Sequence, residues 1–330
     1  MRMLITGGCG FIGSDFVRLA LERGHEVVNL DKLTYAGNPA NVAEVADDPG
    51  YRFVHADVAD PEAVARAVAG CEVVVNFAAE SHVDRSILDP AAFIHTDVVG
   101  TAVLLAAARQ AGVRRFVQVS TDEVYGSIER GAFAEGDPIQ PSSPYSASKA
   151  GGDLQVLAAH RTFGQDALIT RGSNTFGPRQ YPEKLIPLFV TNALEGEPLP
   201  VYGDGMQVRD WIYVRDHAEG IWCALEHGEA GEVYNVGGGN EVPNLEITRS
   251  ILKLTGADPG LVRHVTDRPG HDRRYALDTT RLRGLGWAPR HTFADALADT
   301  VAWYRDHPEW WGPIKSGEYR AYYEAQYGGR

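Results

Sequence analysis

Met3-Leu4-Ile5-Thr6-Gly7-Gly8-Cys9-Gly10-Phe11-Ile12-Gly13 decides how this chain folds. A short apolar run breaks off into glycines, and a helical pattern follows from Asp15 to Arg23, closed by Gly24. That pattern predicts a buried strand, a tight turn and the start of a helix. Glycines let a backbone approach a pyrophosphate, and a helix N-terminus favours its charge. A glycine turn alone is a weak signal. Here the second strand, Glu26 to Leu30, delivers Asp31 roughly 20 residues after the turn, where a carboxylate can bind the hydroxyls of an adenosine ribose. An acid there repels a 2′-phosphate, so NAD is favoured over NADP, with Lys32 weakening the argument slightly. The rival reading, a structural turn followed by a surface Asp, is set aside on the strand–turn–helix context.

Working outward, Tyr51 to His55, Glu72 to Phe77, Arg115 to Val119 and Asp166 to Arg171 read as further strands. Pro61 to Ala69, Ala91 to Ala111 and Ser148 to Thr162 read as the helices between them. Strands alternating with helices predict a parallel sheet with right-handed crossovers. The expected fold is α/β, a Rossmann-like doubly wound parallel sheet with a smaller C-terminal substrate-binding lobe. After residue 172 the pattern loosens. Pro178 to Pro187, Pro198 to Asp204 and Arg263 to Tyr275 read as loops, with short helices at Leu185 to Leu194, Asn244 to Thr255 and Phe293 to His307. We expect residues 1–172, plus about 210–238, to form the dinucleotide-binding domain, and about 173–209 with 239–330 the second lobe.

Composition narrows the function classes. A formal net charge of -13 repels nucleic acid, so no polynucleotide partner is expected. Cys9, Cys71 and Cys223 share no close spacing, which gives neither a metal pattern nor a disulfide framework. Met1-Arg2-Met3 leads into a strand, not a signal peptide. No apolar stretch is expected to reach the ~18 residues needed to span a bilayer. The expectation is a cytoplasmic enzyme with no membrane partner and no metal.

The chemistry concentrates in Ser120-Thr121-Asp122-Glu123-Val124-Tyr125-Gly126 and Tyr145-Ser146-Ala147-Ser148-Lys149. Tyr145 and Lys149 are one helical turn apart, so both can face one substrate. The first segment adds a hydroxyl and two adjacent carboxylates just past a strand. Together these groups handle more protons than a simple alcohol oxidation needs, which points to oxidation coupled to elimination. Asp122 and Glu123 have an alternative reading as helix-capping residues.

These residues resemble the extended short-chain dehydrogenase/reductases. Longer blocks narrow the resemblance to the dTDP-glucose 4,6-dehydratase family: Asp31-Lys32-Leu33-Thr34-Tyr35-Ala36-Gly37-Asn38, Ala78-Ala79-Glu80-Ser81-His82-Val83-Asp84-Arg85-Ser86, Thr121-Asp122-Glu123, Pro182-Glu183-Lys184-Leu185-Ile186-Pro187, Arg209-Asp210-Trp211-Ile212-Tyr213-Val214 and Asp267-Arg268-Pro269-Gly270-His271-Asp272. The resemblance runs from residue 3 to about 290. Cys9 stands where the family usually has Ala, and Thr175-Phe176 where it has Asn-Tyr. The loops after Gly126 and near Gly256 are short.

The resemblance implies NAD as cofactor and dTDP-glucose as substrate. It implies a cofactor site of Gly7, Gly10, Phe11, Ile12, Gly13, Asp31, Lys32, Leu33, Thr34, Asp57, Val58, Ala78, Ala79, Thr96, Tyr145, Lys149 and Thr175. The implied substrate site is Ser81, His82, Thr121, Asn174, Lys184, Leu185, Tyr202, Arg209, Asn244, Arg268 and His271, with Lys184, Arg209 and Arg268 as cations for the diphosphate. In the implied mechanism Tyr145, as a phenolate favoured by Lys149 and the cationic nicotinamide, takes the C4 hydroxyl proton with help from Thr121. Glu123 removes the C5 proton and Asp122 protonates the departing C6 hydroxyl. An epimerase or decarboxylase uses Tyr145 and Lys149 equally well but leaves the acid pair unexplained. UDP-, GDP- and CDP-sugars remain alternatives for the base, and an NAD-binding sensor is a third reading. The apolar helices at 91–111 and after Tyr145 suit a homodimer.

Overall fold

The computed structural model describes residues 1–267, 272–316 and Tyr323. Seven strands form the main sheet: β1 (Arg2–Thr6), β2 (Glu26–Asp31), β3 (Tyr51–His55), β4 (Val73–Asn76), β5 (Arg115–Thr121), β6 (Ala167–Gly172) and, later in the chain, β10 (Val233–Val236). Between them come β7 (Asn174–Phe176), β8 (Leu199–Tyr202) and β9 (Val208–Tyr213); β11 (Glu241–Pro243) and β12 (Val262–Val265) follow. The main sheet runs β10-β6-β5-β4-β1-β2-β3, and its pairs are all parallel. Strand order reverses between β1 and β4, where open α/β sheets leave a crevice at their carboxyl ends. Central strands such as Val73–Asn76 are buried throughout, which explains their continuous apolar runs.

One apolar cluster on each face of the sheet fixes the flanking helices. A third cluster gathers Phe189, Trp211, Ile251 and Tyr304 around the later helices, outside the main sheet. There β9 pairs with β7 and β11.

Several elements differ from the sequence expectations. The first helix spans Phe11–Glu22 and starts directly out of the glycine turn. Parts of two expected loops are strands: β8 and β12 pair in parallel, Val262 opposite Leu199. Pro200, Arg263 and His264 had disguised these short runs. The helix carrying Tyr145 begins at Pro144, not Ser148, and runs to Phe163. Ser143 caps it reciprocally with Ser146, Pro144 takes the first turn and Gly164 ends it at φ +66°. Arg171 on β6 and Asp153 on this helix form a fully buried ion pair at 2.9 Å, locking helix to sheet.

Residues Pro90–Gln110 form a 21-residue helix, long and apolar enough by length and composition to cross a membrane, contrary to expectation. It is also a packing element: Phe93, Leu104, Leu105 and Ala108 are buried, as are the polar Asp97 and Thr101. Its middle, Ile94–Gly100, is a π-helix. Such widened turns re-aim side chains and recur beside functional sites.

Candidate active site

The cofactor end is built on contacts that exclude side chains. Gly7 turns at φ +68°, and a Cβ on it would lie 2.7 Å from the Ala78 nitrogen. A Cβ on Gly13 would collide with the Gly7 carbonyl oxygen. The turn therefore leaves its backbone bare at the mouth of the first helix, a cradle suited to a pyrophosphate. Asp31 ends β2, and its carboxylate accepts the N–H of Cys9 at 2.9 Å and of Leu33 at 2.8 Å. Burial pushes its pKa up while those two donors pull it down. Burial, with Asp31 adding, pushes the Cys9 thiol to about 12, so Cys9 packs as an inert side chain. Lys32 pairs with Asp57 at 2.7 Å.

A cavity of about 290 Å³ opens at this point. Gly7, Gly10, Phe11, Ile12, Gly13, Asp31, Lys32, Thr34, Asp57, Val58, Ala78, Ala79, Thr96, Tyr145, Lys149 and Thr175 all line it, as do Thr121, Asp122 and Glu123. Leu33 does not line it; at φ +54° it shapes the loop and donates its N–H to Asp31. Ser81, Asn174 and Lys184 line the cavity as expected of a substrate site. His82, Leu185, Tyr202, Arg209 and Asn244 are outside its lining. Arg268 and His271 fall outside the described residues. Arg209 is buried, donating to the carbonyls of Val208 and Asp272 with its guanidinium 4.3 Å over the Tyr275 ring.

On the catalytic wall, β5 extends through Thr121, and Asp122–Tyr125 make a short 3-10 turn. The Thr121 hydroxyl accepts the Glu123 N–H at 3.2 Å and donates to Asp122 Oδ1 at 3.2 Å. The capping role is thus taken by Thr121, which leaves both carboxylates to the cavity. Asp122 is 2% exposed, and its Oδ2 has no partner among the described residues. Desolvation, reinforced by Glu123 and Asp210, raises its pKa well above the ordinary carboxylate range. Glu123 is only partly covered.

The phenol of Tyr145 lies among opposing electrostatic influences. Desolvation and then the charges of Glu123 and Asp97 push its phenol well above 10, while a hydrogen bond with Thr121 works in the opposite direction. Lys149 is buried, with Nζ donating to the Val119 carbonyl at 2.9 Å. Burial and the neighbouring acids thus work against the phenolate, a push that the cationic nicotinamide expected beside Tyr145 would counter.

The sequence reading missed His217, which lines the cavity. Its Nδ1 lies 2.7 Å from Thr175 Oγ1, and burial lowers its pKa to about 4. It also assigned no role to Glu80, raised to about 7 by burial and then by Asp97, or to Glu183, although both stood in the quoted blocks. A charged residue inside a motif rich in small side chains was the available signal; His217 had none. The buried atoms His217 Nε2 and Asn174 Oδ1, without partners among the described residues, give the cavity polar contacts to offer a ligand. A bare glycine cradle, a ribose-distance acid and these open polar atoms fit a dinucleotide. Among the described residues no group of three or more His, Cys, Asp or Glu is placed to hold a metal.

A crevice at the strand-order reversal, with Tyr and Lys one helical turn apart on its wall, places the chain in the class of extended short-chain dehydrogenase/reductases. Residues 4–300 match the family described as GDP-mannose 4,6 dehydratase. A dTDP-glucose 4,6-dehydratase of Streptomyces niveus is 54% identical over 96% of each chain, and one of Streptomyces griseus is 53% identical over 95% of this chain and 97% of its own. DesIV, a dTDP-glucose 4,6-dehydratase of Streptomyces venezuelae solved with NAD bound, superposes with a TM-score of 0.93 at 54% identity, covering 95% of this chain and 100% of that one. The chain belongs to the GDP-mannose 4,6 dehydratase family and, within it, to the dTDP-glucose 4,6-dehydratases.

Proposed function

We propose that this protein is an NAD-dependent dTDP-glucose 4,6-dehydratase, a hydro-lyase that yields dTDP-4-keto-6-deoxy-glucose. The observation that carries this reading is the acid pair. Asp122 is buried, with desolvation pushing its pKa well up, Glu123 is partly solvated, and both share a cavity with Tyr145. Adjacent carboxylates in opposed environments divide into an acid and a base. An epimerase has no step that needs them.

NAD, when bound, supplies a reversible hydride store for the sugar carbons C4 and C6. Gly7, Gly10 and Gly13 would bear its pyrophosphate and Asp31 its adenosine ribose. Tyr145, hydrogen-bonded to Thr121 and ionised under the pull of Lys149 and the bound cationic nicotinamide, would take the proton of the C4 hydroxyl as a phenolate. The resulting ketone acidifies the C5 proton, which Glu123 removes. Asp122 gives its proton to the C6 oxygen as the C5=C6 double bond forms and water leaves. Reprotonation at C5 completes the product. Lys149, held on the Val119 carbonyl, would set its positive charge on the same cavity wall as Tyr145.

Residues 1–172 with about 210–238 would bind NAD, and about 173–209 with 239–330 the nucleotide sugar; the separate apolar cluster that joins Phe189 to Ile251 supports a second lobe. A homodimer is supported by apolar side chains left exposed on the helices at 83–100 and 144–163. Three unpaired cysteines suit a cytoplasmic location.

The test is mass spectrometry of purified protein incubated with dTDP-glucose in deuterated water, with and without added NAD. Loss of one water with one deuterium at C5 is expected. No product under either condition, followed by turnover of a UDP- or GDP-sugar, would overturn the substrate. Interconversion without water loss would replace the reading with an epimerase.

A further inference from the structure

Loops bordering the cavity meet at one buried carboxylate. Glu183, 5% exposed, accepts the Tyr35 hydroxyl on Oε1 at 3.0 Å and pairs through Oε2 with Nε of Arg85 at 3.1 Å. The Arg85 guanidinium lies 3.8 Å over the Tyr35 ring, and that ring meets Tyr181 edge-on at 5.3 Å. Alongside, the Lys184 ammonium donates to the Ser81 carbonyl. Tyr35 sits in the loop after β2 that curls over Asp31, Arg85 on the helix Val83–Leu88 after β4, and Glu183 in the segment after β7.

Neighbours of these residues form the cavity wall: Thr34 and Gly37 from the first loop, Ser81 from the second, Tyr181 and Glu183 from the third. Tyr35, Arg85 and Glu183 thereby tie the rim over the adenosine side to the opposite rim. The Glu183 carboxylate is out of water, where a charged hydrogen bond is stronger and its loss more costly. None of the three has a proton to move in the reaction. All three stand in the quoted sequence blocks, and none has a role in the hydride or proton steps.

A hydride taken at C4 and returned at C6 leaves the cofactor as it began, so turnover never requires its exit. Closing that exit costs no rate. We propose that Tyr35, Arg85 and Glu183 form a clasp that retains NAD between turnovers and must open for the cofactor to exchange. This inference rests on the reading of the cavity as the NAD site.

The experiment loads the full chain with radiolabelled NAD, chases with excess unlabelled NAD and follows the bound label. Slow release is expected from the wild type. Tyr35→Phe and Arg85→Ala are each expected to speed release about tenfold, the scale of one charged hydrogen bond. The double variant should be little faster than the singles, because both act through Glu183, and Arg85→Lys should recover part of the retention. Asp166→Asn, which breaks the Arg115–Asp166 pair away from the cavity, serves as the control for general destabilisation. Folded clasp variants that release NAD no faster than the wild type or this control would overturn the clasp. Failure of the wild type to bind labelled NAD at all would overturn the cofactor reading beneath it.

Discussion

Thr175 Oγ1 and His217 Nδ1 lie 2.7 Å apart on the cavity wall, joining β7 to the helix that follows β9. Thr175 stands where the resemblance leads to an Asn, and its shorter side chain is held by this ring. Its carbonyl is held in turn by Gln180 Nε2 at 2.9 Å. The ring lies against Gly172, where a Cβ would collide with it. Gly172→Ala should therefore displace His217 and release Thr175. We expect NAD affinity to fall about tenfold, a single buried hydrogen bond's worth, measured by calorimetric titration. An unchanged affinity would separate the Thr175–His217 pair from the cofactor site.

His217 also sets an acid limit on stability. Its folded pKa is lowered to about 4, against about 6.5 for an unfolded histidine. Between those values the unfolded chain binds a proton that the folded chain does not, so stability falls as pH drops from 6.5 toward 4. The loss near pH 4 is about 3 kcal/mol. Urea unfolding at several pH values should show this slope, and His217→Gln should flatten it. An equal slope in the variant would assign the acid sensitivity to other groups.

Asp122 and Glu123 predict a separation of half-reactions. Asp122→Asn and Glu123→Gln remove the acid and the base of the elimination, leaving Tyr145 and Lys149 in place. Each should lower dehydration about 10²–10⁴-fold, the usual scale of general acid–base catalysis. Reduced nicotinamide should then accumulate at 340 nm after sugar is added. Because the Asp122 pKa is raised, its protonated form persists as pH increases and is lost only above the shifted value. The wild-type rate should fall on that alkaline side, and Asp122→Asn should lack that limb. Absence of the 340 nm signal in both variants would place these residues in the oxidation step.

Much of this was legible in the sequence because its signals are local. The glycine turn and Asp31 declare themselves through fixed spacing along strand, turn and helix. Tyr145 and Lys149 share a helix that was expected to start too late, although Ser143, Pro144 and Ser146 carry its capping pattern. What stayed hidden depends on distant partners. β8 and β12 pair across about 60 residues and contain Pro200, Arg263 and His264, so neither reads as a strand alone. His217 gains its place from Gly172 and Thr175 on other elements, and a lone helical histidine announces none of that. The upward push on the Tyr145 phenol arises from burial and then from Glu123 and Asp97, all brought about only by folding.

Exposed apolar side chains predict how the chain assembles. Ile87, Leu88, Ile94 and Val99 lie on the helical stretch from Val83 to Gly100, and Leu154 and Phe163 on the helix that packs beside it. Leu88 is 76% exposed and Leu154 55%. Two-fold pairing of such faces would bury them against their own copies, the commonest symmetric solution. Leu154→Asp would place two like charges close to the two-fold contact, so it should convert a dimer in sedimentation velocity into a monomer. Tyr145 and Lys149 share the helix with Leu154, so loss of the contact should also lower turnover. A wild-type chain that sediments as a monomer at working concentration would refute the dimer and leave that face to another partner.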